Sequence, residues 1–365
     1  MSIKSFLLRA LPSIRARDAI RSDMKEYYKR LERKIDRLEQ KNDYLFFCLQ
    51  HLEGETDLET KKRVFRSLPK ASGSIADFQF ASNYILTRIK RICDENGVQF
   101  ALCGGTLLGA VRHQGFIPWD DDVDIDILRE DFYRLEALLQ NDEELVMRRY
   151  YKYMYSGKEP GYIPRIKLKS SDRFFVDVFP MDYITVEPGQ EKSAEQEKEK
   201  LCWEFNDKLR VIFEKHRLYY DGDNRAKANP EMDDEVKALE TEYLAKYREQ
   251  FIRGGQYTHM TRAIGNDSWL RDIYHLQKCE DYLPFEKDAV IFEGNRYSTF
   301  KNHDSILRYQ YGDYWTLPSM IGQKHISEFS EYSDEDRHAL DVLRKKLATE
   351  DTVHSHKEKE GGCKE

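Results

Sequence analysis

Pro118-Trp119-Asp120-Asp121-Asp122-Val123-Asp124-Ile125-Asp126-Ile127 is the stretch on which the reading of this chain turns. From Asp120 onward the residue types alternate. Asp120, Asp122, Asp124 and Asp126 fall on one side of a strand, and Val123, Ile125 and Ile127 on the other, where a strand buries its apolar face. Carboxylates at this spacing repel one another and raise each other's pKa unless a cation lies among them. Hard oxygen donors suit Mg2+ or Mn2+. Two plainer explanations fit less well. An acidic turn capping the helix that starts near Arg129 does not account for the apolar alternation. A calcium loop beginning at Asp120 needs glycine at its sixth position, where Ile125 stands, and glutamate at its twelfth, where Asp131 stands.

Upstream, Val98 to Cys103 reads as a short strand leading into Gly104-Gly105-Thr106-Leu107-Leu108-Gly109-Ala110-Val111-Arg112. Backbone N–H groups at Gly104 and Gly105 can cradle a phosphate, and Thr106 can add a hydroxyl. Arg112 is the nearest fixed cation and can clamp a phosphate, a surface salt bridge being the alternative. Downstream, Tyr162 to Phe179 reads as a hairpin that turns at Ser170-Ser171-Asp172. Its first strand puts Arg165, Lys167 and Lys169 on one side, and Arg165 and Lys167 are expected to meet the substrate. In the second strand Asp177 lies between Val176 and Val178. A carboxylate in such a strand is costly without a cation or donor. Asp177 is therefore expected to join the metal site, and it is the candidate base. The alternative is a buried partner for Lys167 or Arg165. Three carboxylates on two strands can hold one or two divalent ions, activate an acceptor hydroxyl and support in-line displacement at phosphorus.

Outside this centre the chain is organised in blocks. Its 365 residues are 40% hydrophobic, enough for a sizeable core. A net charge of −7 argues against a general nucleic-acid binder. Six scattered cysteines form no CxxC pair, which points to idle thiols in a reducing compartment. Residues 1–21 mix apolar and basic side chains in a stretch too short to span a bilayer. It is either a docking terminus or an amphipathic segment on an anionic membrane, with Pro12 expected to break a continuous helix. Across residues 22–53, Met24, Tyr28, Leu31, Ile35, Leu38, Asn42, Leu45, Leu49 and Leu52 step by fours and threes, the seam of an oligomerising coiled coil. The alternative is a helix packed on its own domain. A linker with one short helix, 54–74, precedes the main domain, 75–348. That domain begins with a helix to Asn96, which Gly97 caps. Residues 194–251 form a helical insert, with Ser193 and Gln196 as a capping box. The tail, 349–365, is expected to be disordered.

The string Gly104 to Arg112 together with Pro118 to Ile125 closely resembles the signature of the LicD family. Phe175-Val176-Asp177-Val178-Phe179-Pro180-Met181-Asp182 resembles its second block. Phe292-Glu293-Gly294 and Tyr311-Gly312-Asp313-Tyr314, with Leu317-Pro318, resemble later ones. The likeness runs from about Ile75 to His325. It implies an α+β, nucleotidyltransferase-like mixed sheet with flanking helices. It also implies transfer of phosphocholine, or of ribitol or glycerol phosphate, from a CDP-linked donor to a glycan or lipid-linked glycan of a bacterial surface. By position, the family's metal carboxylates map onto Asp122, Asp124 and Asp177. The expected setting is cytoplasmic, with peripheral contact at the inner membrane face. The competing readings are a nucleotidyltransferase that uses an NTP and releases pyrophosphate, and a non-catalytic coiled-coil scaffold. Tyr151, Tyr153 and Tyr155 share a strand face that could hold a choline ammonium or serve as ordinary packing.

Overall fold

The computed structural model describes residues 3–154, 159–217, 230–252, 257–264, 276–317 and 332–361. The chain divides into two compact units, Met1–Ser67 with Trp315–Ile321, and Leu68–Tyr314 with Gly322–Glu365.

In the first unit, α1 (Ile3–Gln50) is one long helix that runs through Pro12, where a break was expected. A single proline removes one backbone hydrogen bond, and the Leu-, Ala- and Arg-rich sequence around it favours helix on both sides. Helix α2 (Asp57–Arg66) starts on a capping box, in which the Thr56 side chain accepts from the Glu59 N–H and the Glu59 carboxylate accepts from the Thr56 N–H. Phe47 of α1 is buried against α2, its ring 5.9 Å from that of Phe65.

The second unit opens with α3 (Ser74–Asn96). It stops where expected: Gly97 takes a left-handed φ of 62° and its N–H bonds the Cys93 carbonyl. There follow β1 (Phe100–Leu102), α4 (Gly104–His113), β2 (Asp124–Leu128), α5 (Arg129–Gln140), β3 (Leu145–Met154), β4 (Glu159–Leu168) and β5 (Phe175–Ile184). Then come α6 (Glu191–Lys215), α7 (Pro230–Phe251), β6 (His259–Thr261), β7 (Gln277–Lys278), α8 (Cys279–Tyr282), β8 (Glu286–Phe292), β9 (Asn295–Thr299), α9 (His303–Tyr311) and α10 (Asp334–Gly361). Helix α10 continues to Gly361, through the stretch expected to be disordered. Among the described residues no helix is long and apolar enough to cross a membrane.

The main sheet is mixed. Its path is β1-β2-β5-β4-β3, with β6 added to the far end of β5 and β7 to β6. Strands β2 and β5 run parallel, and the other pairs are antiparallel. The hairpin read between Tyr162 and Phe179 is β4–β5. The first strand read at the aspartates begins later than expected, at Asp124 rather than Asp120. The preceding loop is tied down instead: Gln79 of α3 donates to the carbonyls of Asp120 (2.8 Å) and Ile117 (3.2 Å).

The helical insert is α6 and α7. Helix α6 begins at Glu191, with no side-chain cap, so the expected capping box at Ser193 lies inside its first turn. The inner faces of the two helices bury Phe205, Leu209, Phe213, Tyr243 and Tyr247 against β3 and β4. Tyr151 and Tyr153 belong to this core, 0% and 9% exposed, each edge-on to Phe213. That answers the choline reading for these two rings, because neither offers a face to a ligand; Tyr155 lies outside the described residues.

Candidate active site

Register brings the key carboxylates together. In the parallel pair β2–β5, Asp124 stands directly beside Asp177, and in the antiparallel pair β4–β5, Arg165 stands beside the same Asp177. Directly paired residues project to one sheet face, so the three side chains share a surface. Two hydrogen bonds fix the strand entry: the Asp177 N–H donates to the Val123 carbonyl (2.8 Å), and the Cys103 N–H to the Asp124 carbonyl (3.2 Å). Asp122 and Asp120 reach the same region from the loop. Burial, then the charges of Asp122 and Asp177, push the Asp124 carboxyl well above its ordinary range. Such a cluster stabilises a cation.

Asp177 already has a partner. Arg165 Nε donates to its Oδ1 at 2.7 Å, with Nη2 3.4 Å from Oδ2. The guanidinium is clamped between the rings of Tyr150 (3.8 Å) and Phe175 (3.6 Å). A carboxylate has about four lone-pair directions, so the long contact at Oδ2 leaves acceptor capacity for a further ligand. Among the described residues no three His, Cys, Asp or Glu side chains are already drawn to metal-ligand distance. Donor chemistry nevertheless fits a hard divalent cation: every available group is a carboxylate oxygen, and Asp124 is short of positive charge.

The remaining expected substrate residues have other roles. Gly104 takes a left-handed φ of 54°, and a Cβ there would lie 3.0 Å from Asp124 Oδ2; one at Gly105 would lie 2.9 Å from Asp120 Oδ2. The first turn of α4 thus stands directly against the carboxylates, where the positive end of the helix dipole favours negative charge. Thr106 is 2% exposed and its hydroxyl accepts from the Asp124 N–H (2.8 Å), so it props the start of β2 rather than facing solvent. Arg112 is also buried. Its Nη1 donates to the Tyr314 carbonyl (2.9 Å), and burial lowers its pKa to about 10. This bond ties α4 to the C-terminal block at Tyr314. Lys167 pairs with Asp172 in the hairpin turn, one step along β4 from Asp177.

Two neighbours escaped sequence reading. Arg262, just after β6, bonds Asp126 Oδ1 twice (2.7 and 3.1 Å) and lies over the Phe179 ring. Both partners are 1% exposed. Asp126, on the acidic side of the strand, is therefore neutralised. Nothing near Arg262 in sequence marked it. Tyr311 is the other: the residue as a whole is 43% exposed, but desolvation at the phenol and then the fields of Asp124 and Asp120 raise its pKa. It had been noticed only within the C-terminal block. The β8–β9 turn joins the same assembly, since Glu293 accepts from the Phe116 N–H (3.2 Å) and its own N–H donates to the Gln114 carbonyl (3.1 Å).

Residues 97–218, which hold β1 to β5 and all of these aspartates, match the family model described as LicD/FKTN/FKRP, nucleotidyltransferase domain. The chain carries a LicD-family domain. It is 27% identical over 266 residues to the lipopolysaccharide cholinephosphotransferase LicD of Haemophilus influenzae, covering 67% of this chain and 93% of that protein. Over 89 residues it is 34% identical to human ribitol 5-phosphate transferase FKRP, covering 24% of this chain and 18% of FKRP. A Rickettsia prowazekii protein, RP689, is 51% identical over 51 residues, 14% of this chain and 19% of its own length. The LicD domain here is that of a phosphotransferase.

Proposed function

We propose that this LicD-type enzyme moves phosphocholine, or a related phospho-alcohol such as ribitol or glycerol phosphate, from a CDP-linked donor to a hydroxyl of a bacterial surface glycan. The observation that carries the reading is the pairing of Asp124 with Asp177 across β2 and β5, with Asp122 adding to the charge at Asp124. Asp122, Asp124 and Asp177 would hold Mg2+ or Mn2+. When bound, such an ion neutralises phosphate oxygens and eases displacement at phosphorus.

The chain's own groups divide the remaining work. Arg165, held flat by two rings, orients Asp177 and keeps its position fixed. Asp177 is the group placed to accept the proton of the acceptor hydroxyl. Arg262 holds Asp126 in a buried ion pair, which leaves Asp122, Asp124 and Asp177 as the proposed ligands. Supporting the phospho-alcohol reading, the relative matched along 93% of its length is a cholinephosphotransferase. The free cysteines among the described residues agree with a cytoplasmic setting.

The test is a donor screen with CDP-choline, CDP-ribitol, CDP-glycerol and NTPs, with and without divalent ions. Release of CMP that requires Mg2+ or Mn2+ supports the proposal. Pyrophosphate released from an NTP would make the chain a nucleotidyltransferase instead, and CMP release unaffected by chelation would remove the metal.

A further inference from the structure

Helix α1 packs on its own unit with its back and leaves its seam open. With Ile35 and Asn42 at a positions and Leu38 and Leu45 at d, Phe47 falls at f and Asp43 at b, opposite the seam. It is these back positions that the chain uses: Phe47 is 7% exposed beside Phe65, and Asp43 accepts from the Leu317 N–H (3.0 Å). Ile35, Leu38, Leu45 and Leu49 are 53%, 66%, 59% and 83% exposed. A helix that served only its own domain would turn these side chains inward, because an exposed aliphatic group forgoes the gain of burial.

We infer that this seam receives the same seam of a second copy, in a parallel two-stranded coiled coil in register at Asn42. Charge sets the orientation. The e positions carry Glu32 and Glu39, and the g positions carry Lys34 and Lys41. In a parallel pair g meets the e of the next heptad, so Lys34 of each copy faces Glu39 of the other. In an antiparallel pair e meets e and g meets g, which opposes glutamate to glutamate and lysine to lysine. Strand number follows from the core. Ile35 at a with leucine at d favours two strands, and a lone asparagine at a finds its hydrogen-bonding partner in the facing Asn42 only when two chains are in register. The pairing is independent of the transferase reading, and either can fail without the other.

Sedimentation equilibrium on the full-length chain tests it. The wild-type protein is expected to be a dimer, and Leu38→Glu with Leu45→Glu to give a monomer of unchanged helix content, since both side chains are exposed in the single copy. Glu39→Lys should weaken the dimer about tenfold, by turning two Lys–Glu contacts into Lys–Lys. Adding Lys34→Glu should restore it. A monomeric or trimeric wild type overturns the inference. A Glu39→Lys variant that dimerises as tightly as wild type, or more tightly, overturns the parallel orientation.

Discussion

The two ends of β5 bury charge in opposite ways. Near its C-terminal end, Asp182 and Glu240 of α7 are matched by Arg129 and Arg149. Arg129 meets Asp182 through two contacts (2.7 and 3.1 Å) and Glu240 through a third (3.1 Å), while Arg149 meets the other oxygen of Glu240 (2.8 Å). All four side chains are 7% exposed or less. Near the N-terminal end, the charges of Asp122, Asp177 and Asp120 raise the pKa of the buried Asp124 and Arg262 opposes them, while Arg165 pairs with Asp177. The first cluster is complete and pins the helical insert to the sheet. The second crowds carboxylates around the buried Asp124 strongly enough to raise its pKa, an environment that favours a cationic ligand.

That contrast can be broken at either end. The largest effect is expected at the unmatched one: Asp122→Ala or Asp124→Ala should cut transfer on the order of a thousandfold, as when one group of a preorganised electrostatic site is removed. Thermal unfolding in EDTA should show Asp124→Ala no less stable than wild type, because repulsion is relieved; normal turnover in either variant would refute the site. At the matched end, Glu240→Ala should lower stability by about 3–5 kcal/mol in urea titration, since it removes the buried carboxylate that two guanidinium groups share. Little change there would mean that the network is dispensable.

Smaller changes sharpen the comparison. Arg165→Gln should leave Asp177 uncontested. Activity is expected to fall about 10- to 100-fold, as for groups that orient a ligand. The divalent concentration for half-maximal rate should drop as well; an unchanged requirement would separate Arg165 from the metal-binding step. The smallest effect is in pH. The Asp124 carboxyl is raised in the folded state, so the folded chain binds the proton more tightly than the unfolded chain. Its contribution to stability is full below the ordinary carboxylate value and is lost as pH rises through the folded one. Without divalent ions the melting temperature of the wild type relative to Asp124→Asn should therefore decline from about pH 4 upward, and saturating Mg2+ should remove the decline. A difference that stays flat or climbs across this range in EDTA would count against the crowding at Asp124.

Much of this was legible from local pattern. The hairpin β4–β5, the end of α3 at Gly97 and the two helices of the insert each rest on residues a few positions apart, where period and turn chemistry act. What the pattern could not supply was the partner of each charge. Lys167 and Arg165 looked equally able to meet Asp177, and only strand register put Arg165 opposite it. Thr106 read as a phosphate ligand because it follows a glycine pair, and Arg112 because it is the nearest fixed cation; only the structure shows both buried, Thr106 bonded to the Asp124 N–H and Arg112 to the Tyr314 carbonyl.

Sequence pattern singled out the alternating aspartates and Asp177, because an acidic residue among β-branched neighbours is costly wherever the strand lies, and the family resemblance narrowed the candidate ligands to Asp122, Asp124 and Asp177. Tertiary structure alone decided which distant cation each buried carboxylate meets. Arg262 reaches Asp126 from 136 residues away in the chain, and Glu240 reaches Arg129 from 111. Neutralising a buried charge depends on distance in space, and residue spacing along a chain carries no record of which distant cation will arrive.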